Sequence, residues 1–388
     1  MDFNNWIGDG REYMQHARHV QNLGEGTDGI VAKYRHERGH ALAVKIPTKS
    51  RGAIDGLWTE ITNLHLLTRA GRHENIVKHL GWDENWQPGI PALFIELAAY
   101  GDLEHYSRIL FSKTNRMPEL TVWKIIHDLS SALHYIHNQL PDGNHYCHSD
   151  MKPGNILVCH PRGMKKSESG LFPLAPVFKI SDFGRMTKFD PDKVKSFQGT
   201  VEYAPPMPER AITTPACDIW AIAASISYAV FRTHPIENRK DFIARYNTDW
   251  RINPHRKVLK LDEPLTYEHR ALRAIQKRDL NVEQDQQNAQ GIPHELCVVP
   301  YSDNLQFWYS MCYEHPQNRI TAETLNDLLL PTAEKNIIHW AREFEREKRA
   351  IRAQTIDTNE WRISKGFEPG GVPLWVDGVT TDRGQPGH

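Results

Sequence analysis

Within eight residues, His148-Ser149-Asp150-Met151-Lys152-Pro153-Gly154-Asn155, the chain sets a carboxylate, an ammonium and an amide at fixed spacing, and Asp182-Phe183-Gly184 follows downstream. A carboxylate can orient or deprotonate a hydroxyl, and an ammonium can neutralise a moving anion. An amide oxygen with a second carboxylate offers the hard oxygen ligands that a divalent cation takes. At roughly 5% usage each, five specified positions in eight coincide by chance in on the order of one chain in ten thousand of this length. The set therefore reads as a candidate base, a cationic helper and two metal-facing groups in a fixed order.

A second candidate lies near the start. Gly24-Glu25-Gly26-Thr27-Asp28-Gly29-Ile30-Val31 has the glycine spacing that lets backbone approach phosphates and present amides to negative charge. At ~7% glycine, this spacing alone recurs in roughly one chain in ten, and an ordinary hairpin is the bland alternative. Its place between the apolar stretches Val20–Leu23 and Ile30–Tyr34, just ahead of Ala43-Val44-Lys45, gives it weight. Lys45 is one of 47 Lys and Arg, most of them expected at the surface, but it ends an apolar strand directly after the glycine turn. Ile54, Leu57, Trp58, Ile61, Leu64, His65 and Leu67 repeat with helical period, and Glu60 lies mid-helix where a surface charge would be misplaced.

Together these motifs resemble the eukaryotic protein kinase family, serine/threonine type, over about Val20 to Leu330. The resemblance implies an α+β, bilobal fold with a small β-rich N-lobe and a larger, mostly α-helical C-lobe. It implies ATP and Mg²⁺ as cofactors and Ser/Thr acceptors on protein substrates. Asp150 would be the general base, Lys152 would neutralise the phosphoryl group, and Asn155 and Asp182 would hold metal. Lys45 would contact the α/β-phosphates and pair with Glu60 rather than Glu74. Gly24, Glu25, Gly26, Gly29, Val31, Ala43 and Leu157 fall at nucleotide-contact positions. Leu93-Phe94-Ile95-Glu96-Leu97-Ala98 resembles the last small-lobe strand entering the hinge, so adenine would bond backbone near Glu96 and Ala98, with Ile95 as gatekeeper. Asp102 would contact the ribose or, equally, cap the helix beginning at Leu103. Thr200, in Gly199-Thr200-Val201-Glu202-Tyr203-Ala204-Pro205-Pro206, would bond near Asp150. Asp218-Ile219-Trp220-Ala221 resembles the start of the buried large-lobe helix, and Arg319 the partner of an activation-segment glutamate.

Two departures matter. Ser149 stands where the family usually has Arg, which questions control by activation-loop phosphorylation and makes the chain non-RD. Pro206 stands where a glutamate is expected, and Glu209 is the residue that can reach Arg319 instead. The change to Ala223 from the family's glycine is minor. The competing readings are a catalytically silent scaffold on the same fold and a small-molecule kinase. The G-T-x-x-Y segment and the full glycine loop speak against the latter.

The elements that must position these residues follow from periodicity. The sequence predicts strands at Val20–Leu23, Ile30–Tyr34, Ala41–Ile46, Ile76–Leu80 and Leu93–Leu97. It predicts a long helix through Val122 and Ile136, a buried helix over Ile219–Phe231, and a charged helix over Glu334–Ala353. The expected units are an N-terminal extension (1–17), an N-lobe (18–98), a C-lobe (99–331) and a C-terminal helix with tail (332–388). Insertions fall near 160–176 and 236–301. Lys165-Lys166 beside Ser167 reads as a solvated loop, with a phosphosite as the alternative, and Lys365–His388 as a flexible tail. The C-terminal helix should pack one face on the large lobe, the other reading being a dock for a regulatory partner. With 39% hydrophobic residues, 24% charged and a net charge of −1, the composition argues for a soluble globular protein and against a general nucleic-acid or membrane-surface binder. Five scattered cysteines without CxxC spacing suggest free thiols, and with no apolar leader or membrane span the expected location is cytoplasmic or nuclear.

Overall fold

The structure is a computed structural model describing residues 10–26, 28–114, 116–161, 172–193, 195–255, 257–293, 296–297, 299–353 and 375–376. Its N-terminal part is one antiparallel sheet. After a short helix α1 (Arg11–Met14), the strands are β1 (Ala17–Glu25), β2 (Gly29–His36), β3 (Ala41–Pro47), β4 (His79–Gln87) and β5 (Ile90–Glu96), in the order β1-β2-β3-β5-β4. Alternation along each strand divides the side chains between the two faces. Leu42, Val44, Ala92 and Phe94 join Met14 and Leu80 in a small outer cluster, whereas Ala43, Leu93 and Ile95 belong to the main core. Lys45 is therefore in phase with Ala43, on the inner face.

Helix α2 (Arg51–Arg69) crosses that inner face. Ser50 caps it by accepting from Ala53 N at 3.3 Å. Its buried stripe is Ala53, Leu57, Ile61, Leu64 and Leu67, spaced three or four apart, with the buried carboxylate of Glu60 beside Ile61. The predicted strand at Ile76–Leu80 needs correction: the strand runs over His79–Gln87, and Ile76 instead bridges Ile180 in the helical part.

The C-terminal part is helical: α3 (Leu103–Thr114), α4 (Glu119–Asn138), α5 (Pro215–Phe231), α6 (Arg239–Thr248), α7 (Tyr267–Ala271), α8 (Gln284–Gln290), α9 (Asp303–Met311), α10 (Ala322–Thr324) and α11 (Leu330–Ala353). Two short ribbons lie against it. One pairs β6 (Tyr146–Cys147) with β10 (Thr187–Lys188), the other β7 (Ile156–Cys159) with β9 (Val177–Ile180). A further pair joins β8 (Phe172–Pro173) to β11 (Trp375–Val376), so this short piece of the expected flexible tail is strand-paired. The rest of that tail, and the Lys165–Ser167 segment, lie outside the described residues. Helix α5 is buried almost all round, and among the described residues no helix is long and apolar enough to cross a membrane.

The stretch from Ile236 to Tyr301 is fixed to the helical core. The fully buried Arg278 donates to Thr233 O at 3.0 Å and Gln290 Oε1 at 2.6 Å. Arg116 reaches Val299 O at 2.7 Å and stacks over Tyr301. Helix α11 follows a π-helical turn at Leu325–Leu329 and lies on α4, with Ala333 and Phe344 buried. This is the packed reading of the C-terminal helix, beginning four residues before Glu334.

Glu209 does reach Arg319, through two bonds of 2.8 and 2.9 Å. Arg319 also donates to Ala216 O and stacks on Trp220, and its side chain has no exposure, so Glu209 supplies its countercharge. Glu209→Gln leaves a buried guanidinium without that charge and is expected to destabilise by about 3 kcal/mol in urea titrations, with Glu209→Arg/Arg319→Glu recovering part of the loss. Single variants that unfold like the parent would remove the pair from the account.

Candidate active site

Lys45 stands on β3 directly opposite Val31 and Leu93, and its Nζ joins the two parts of the molecule. It bonds Glu60 Oε2 at 2.6 Å and Asp182 Oδ1 at 3.0 Å. Glu74 instead lines a separate cavity behind α2. Burial works against the Lys45 ammonium, but the two carboxylates outweigh it and hold its pKa above the ordinary lysine value. Burial pushes the Glu60 carboxyl up while Lys45 pulls it back. For Asp182 burial also raises the pKa, yet Lys45 prevails and the carboxyl is held below its usual range.

Asp182 adopts φ 62°, a left-handed conformation unusual for a residue with a side chain. Its neighbours hold it there. Asn63 of α2 donates to Phe183 O at 2.8 Å and Met186 O at 3.1 Å, while Phe183 is fully buried. His148 Nε2 donates to Ser181 O at 3.0 Å, and Ser181 donates through N and Oγ to Asn155 O at 2.9 and 3.0 Å. Asn155 and the Asp182 turn are thus locked together.

Asp150 is the other centre. Its Oδ1 accepts from Thr200 N at 2.7 Å and Thr200 Oγ1 at 2.8 Å. Its Oδ2 takes the longer contacts: Lys152 Nζ at 3.1 Å, Asn155 Nδ2 at 3.4 Å and Arg185 Nε at 3.8 Å. Lys152 also bonds Thr200 Oγ1 at 3.0 Å, and Asn155 Nδ2 donates to Asp150 O at 2.8 Å. That bond engages the amide nitrogen of Asn155 and leaves its oxygen, the harder ligand atom, for a cation. Ser149, at φ 68°, is held by the buried Asp218, whose two oxygens accept from Ser149 N at 2.9 Å and His148 N at 2.7 Å.

A Cβ on Gly199 would stand 2.3 Å from Ser149 O and 3.1 Å from Asp150 Oδ1, so only glycine allows Thr200 this close. The three glycines of the first loop differ. A Cβ on Gly29 would lie 2.1 Å from Ile46 O, which makes Gly29 a packing requirement of β2 against β3. Gly24 and Gly26 have open space around them, room that a phosphate chain can use. Glu25 ends β1, and Gly26 N donates to Gly29 O at 2.9 Å to close the turn.

The apolar candidates Val31, Ala43, Ile95 and Leu157 belong to or pack on the main core, where the sheet meets the helical part. Glu96 uses its side chain on Lys179 Nζ (2.7 Å) and Lys78 N (2.6 Å). Its backbone N is engaged as well, donating to Lys78 O at 3.0 Å. Asp102 caps α3 by accepting from His105 N at 2.7 Å, the second of its two readings. Sequence reasoning missed Asn63, Arg185, Lys179 and the anchoring role of Asp218. Asn63 had a signal, three residues from Glu60 on the same helix, but the other contacts are between residues distant in the chain.

In Lys45→Met the buried Glu60 carboxyl loses its partner and holds its proton more tightly folded than unfolded. The folded state then binds more protons, so stability falls as pH rises. Each unit by which the Glu60 pKa rises costs about 1.4 kcal/mol at neutral pH. A melting temperature lower at pH 8 than at pH 5, relative to the parent, is expected for Lys45→Met and not for Lys45→Met/Glu60→Leu. Parallel curves for all three proteins would contradict the pairing energetics.

Comparison with known proteins fits this geometry. Residues 17–328 match the family described as Protein kinase domain. The chain is 29% identical over 202 residues to Aurora/IPL1-related protein kinase 2 of Caenorhabditis elegans, covering 52% of this chain and 58% of that protein. It is 29% identical over 227 residues to serine/threonine-protein kinase PKZ1 of Phytophthora infestans, covering 55% and 54%. It is 31% identical over 216 residues to human mitogen-activated protein kinase kinase kinase 6, covering 53% of this chain but 14% of that one. The chain thus spans between about a seventh and three-fifths of these relatives. The match over residues 17–328, with the Lys45–Glu60 pair, the Asp182 carboxylate bonded to the same lysine and the Asp150–Thr200 bonds, assigns the chain to the protein kinase domain family.

Proposed function

We propose that the protein is a serine/threonine kinase that moves the ATP γ-phosphate to hydroxyls of protein substrates, with Mg²⁺. The observation that carries this reading is the convergence of Lys45, Glu60 and Asp182 in one cluster beside the Asp150–Lys152–Thr200 network. A silent scaffold would have no use for both sets. The relatives named serine/threonine kinases support the same acceptor class.

In this reading Gly24 and Gly26 leave backbone free for the phosphates, and Lys45 neutralises them, with Glu60 fixing its position. Asp182 and the Asn155 amide oxygen would hold Mg²⁺, which neutralises phosphate charge when bound. Asp150 orients the incoming hydroxyl. Oδ2, whose contacts are longer than those of Oδ1, is the oxygen assigned to it. Lys152 neutralises charge that develops beside that oxygen, and Thr200 holds the carboxylate in place. Five free cysteines accord with a reducing, cytoplasmic or nuclear setting.

Asp150→Ala is expected to lower kcat by about 10²–10⁴-fold with unchanged fold and ATP affinity. Unaltered turnover would defeat the assignment.

We further infer non-RD behaviour. Ser149 supplies no arginine to gather a phosphate, and the segment is already tied down by backbone. Phe189 N bonds His145 O, Thr213 N bonds Lys195 O, and Phe197 N bonds Arg210 O, at 2.7–2.9 Å. Arg185 adds a bond to Gln198 O at 2.6 Å. Ser196→Ala/Thr187→Ala should therefore keep turnover within about twofold of the parent, the range of a surface substitution. Loss of turnover with ATP affinity intact would restore phosphorylation control.

A further inference from the structure

The ribbon of β1 and β2 ends in two arginines set against each other. Arg18 lies directly opposite Arg35 in the antiparallel register, so both side chains leave the same face. Like charges so placed destabilise a sheet. Lys33, two residues back on β2, is in phase with Arg35 and stands opposite Gln21. This stretch of the face therefore carries three cations and no acid. Elsewhere Arg245, Arg270 and Arg319 each hold a glutamate. Among the described residues, Arg18 and Arg35 have no side-chain hydrogen bond or ion pair.

The two arginines line a hollow of about 420 Å³ together with His16, His36, Glu37 and Gly39. The turn beside it is braced. His36 is buried, stacks on Tyr13 with centroids 4.2 Å apart, and accepts at Nδ1 from Arg38 N at 3.1 Å. Glu37 N donates to His16 O at 3.0 Å, and Gly39 N to His36 O at 2.8 Å. Glu37 is the acid of the lining, and its Oε1 is turned to His16 Nδ1 at 3.2 Å. The guanidiniums are thus held in a preformed hollow without a countercharge of their own.

Two unpaired guanidinium forks on one face call for an anion with more than one charge and several acceptor oxygens. A phosphomonoester has both, whereas a carboxylate balances one arginine. Nucleic acids and anionic membranes present phosphates in rows and are bound by larger sets of cations, so a single pair in a hollow fits one phosphoryl group better. The location adds a consequence. Arg35 is in phase with Val31, which stands opposite Lys45, and lies four residues further along β2, roughly 13 Å away. A segment bound there runs on the same side of the sheet as Lys45. We propose that Arg18 and Arg35 form a binding site for a phosphorylated serine or threonine of a peptide segment, a site that stands whether or not the chain itself transfers phosphate.

The test uses the full chain and a fluorescein-labelled glycine–alanine peptide with one phosphoserine, beside the same peptide with serine. Fluorescence anisotropy should show binding of the phosphopeptide alone, with inorganic phosphate displacing it. Arg18→Gln/Arg35→Gln should weaken binding at least about tenfold, the loss expected for charge-assisted contacts. That variant also relieves the repulsion across the ribbon, so its melting temperature without ligand should equal or exceed the parent's. The phosphopeptide should raise the melting temperature of the parent and not of the variant. If the double variant does not fold, Arg18→Gln alone, at an exposed position, must show the loss of binding. Equal binding of the serine peptide, undiminished binding in the variants, or no binding at millimolar peptide would overturn the proposal. So would tighter binding, through the same arginines, of phosphoinositide vesicles or of single-stranded RNA.

Discussion

One ammonium between two carboxylates holds the parts of this molecule in register. Lys45 comes from the sheet, Glu60 from the helix behind it and Asp182 from the helical region, so a single cation closes a triangle across the cleft. Each member is costly alone. Glu60 is buried, and Asp182 has a backbone conformation that few residues with side chains adopt. Lys45 offsets part of the charge of both carboxylates, and the arrangement is stiff because breaking one contact strands a charge.

The second centre is built on the same logic with hydrogen bonds. Asp218, buried in α5, accepts two amides of the catalytic loop and so permits the left-handed turn at Ser149. That turn points Asp150 toward Thr200, and Gly199 gives Thr200 the clearance to reach it. Arg319 and Glu209 then pin the chain beyond this segment to α5. The geometry around Asp150 is carried by backbone groups satisfied from buried side chains.

Much of this was legible in the sequence because the informative residues are local. Asp150, Lys152 and Asn155 sit in one motif, and the apolar period around Glu60 marked it as a buried carboxylate before any partner was known. The apolar strand Ala43-Val44-Lys45 directly after the glycine turn singled out Lys45. Glu209, three residues past Pro206, was recognisable as an acid that could reach Arg319 in place of the missing glutamate. What stayed hidden depends on contacts between distant segments. Nothing local says that Gly199 meets Ser149 O, or that Gly29 is glycine because of Ile46 O. The strand at His79–Gln87 escaped because its middle, Asp83 to Asn85, is polar and irregular in register. The long stretch before Tyr301 read as a polar insertion because its anchors, Arg116 and Arg278, are charged residues buried through hydrogen bonds to carbonyl oxygens.

The most direct trial of the account is transfer of label. The full chain is incubated with γ-labelled ATP, Mg²⁺ and a generic basic protein, beside Asp182→Asn, and the labelled residues of that protein are identified. The account requires label on serine or threonine with the parent and none with Asp182→Asn. Label on tyrosine alone, on a small molecule alone, or to the same extent with Asp182→Asn, would contradict it.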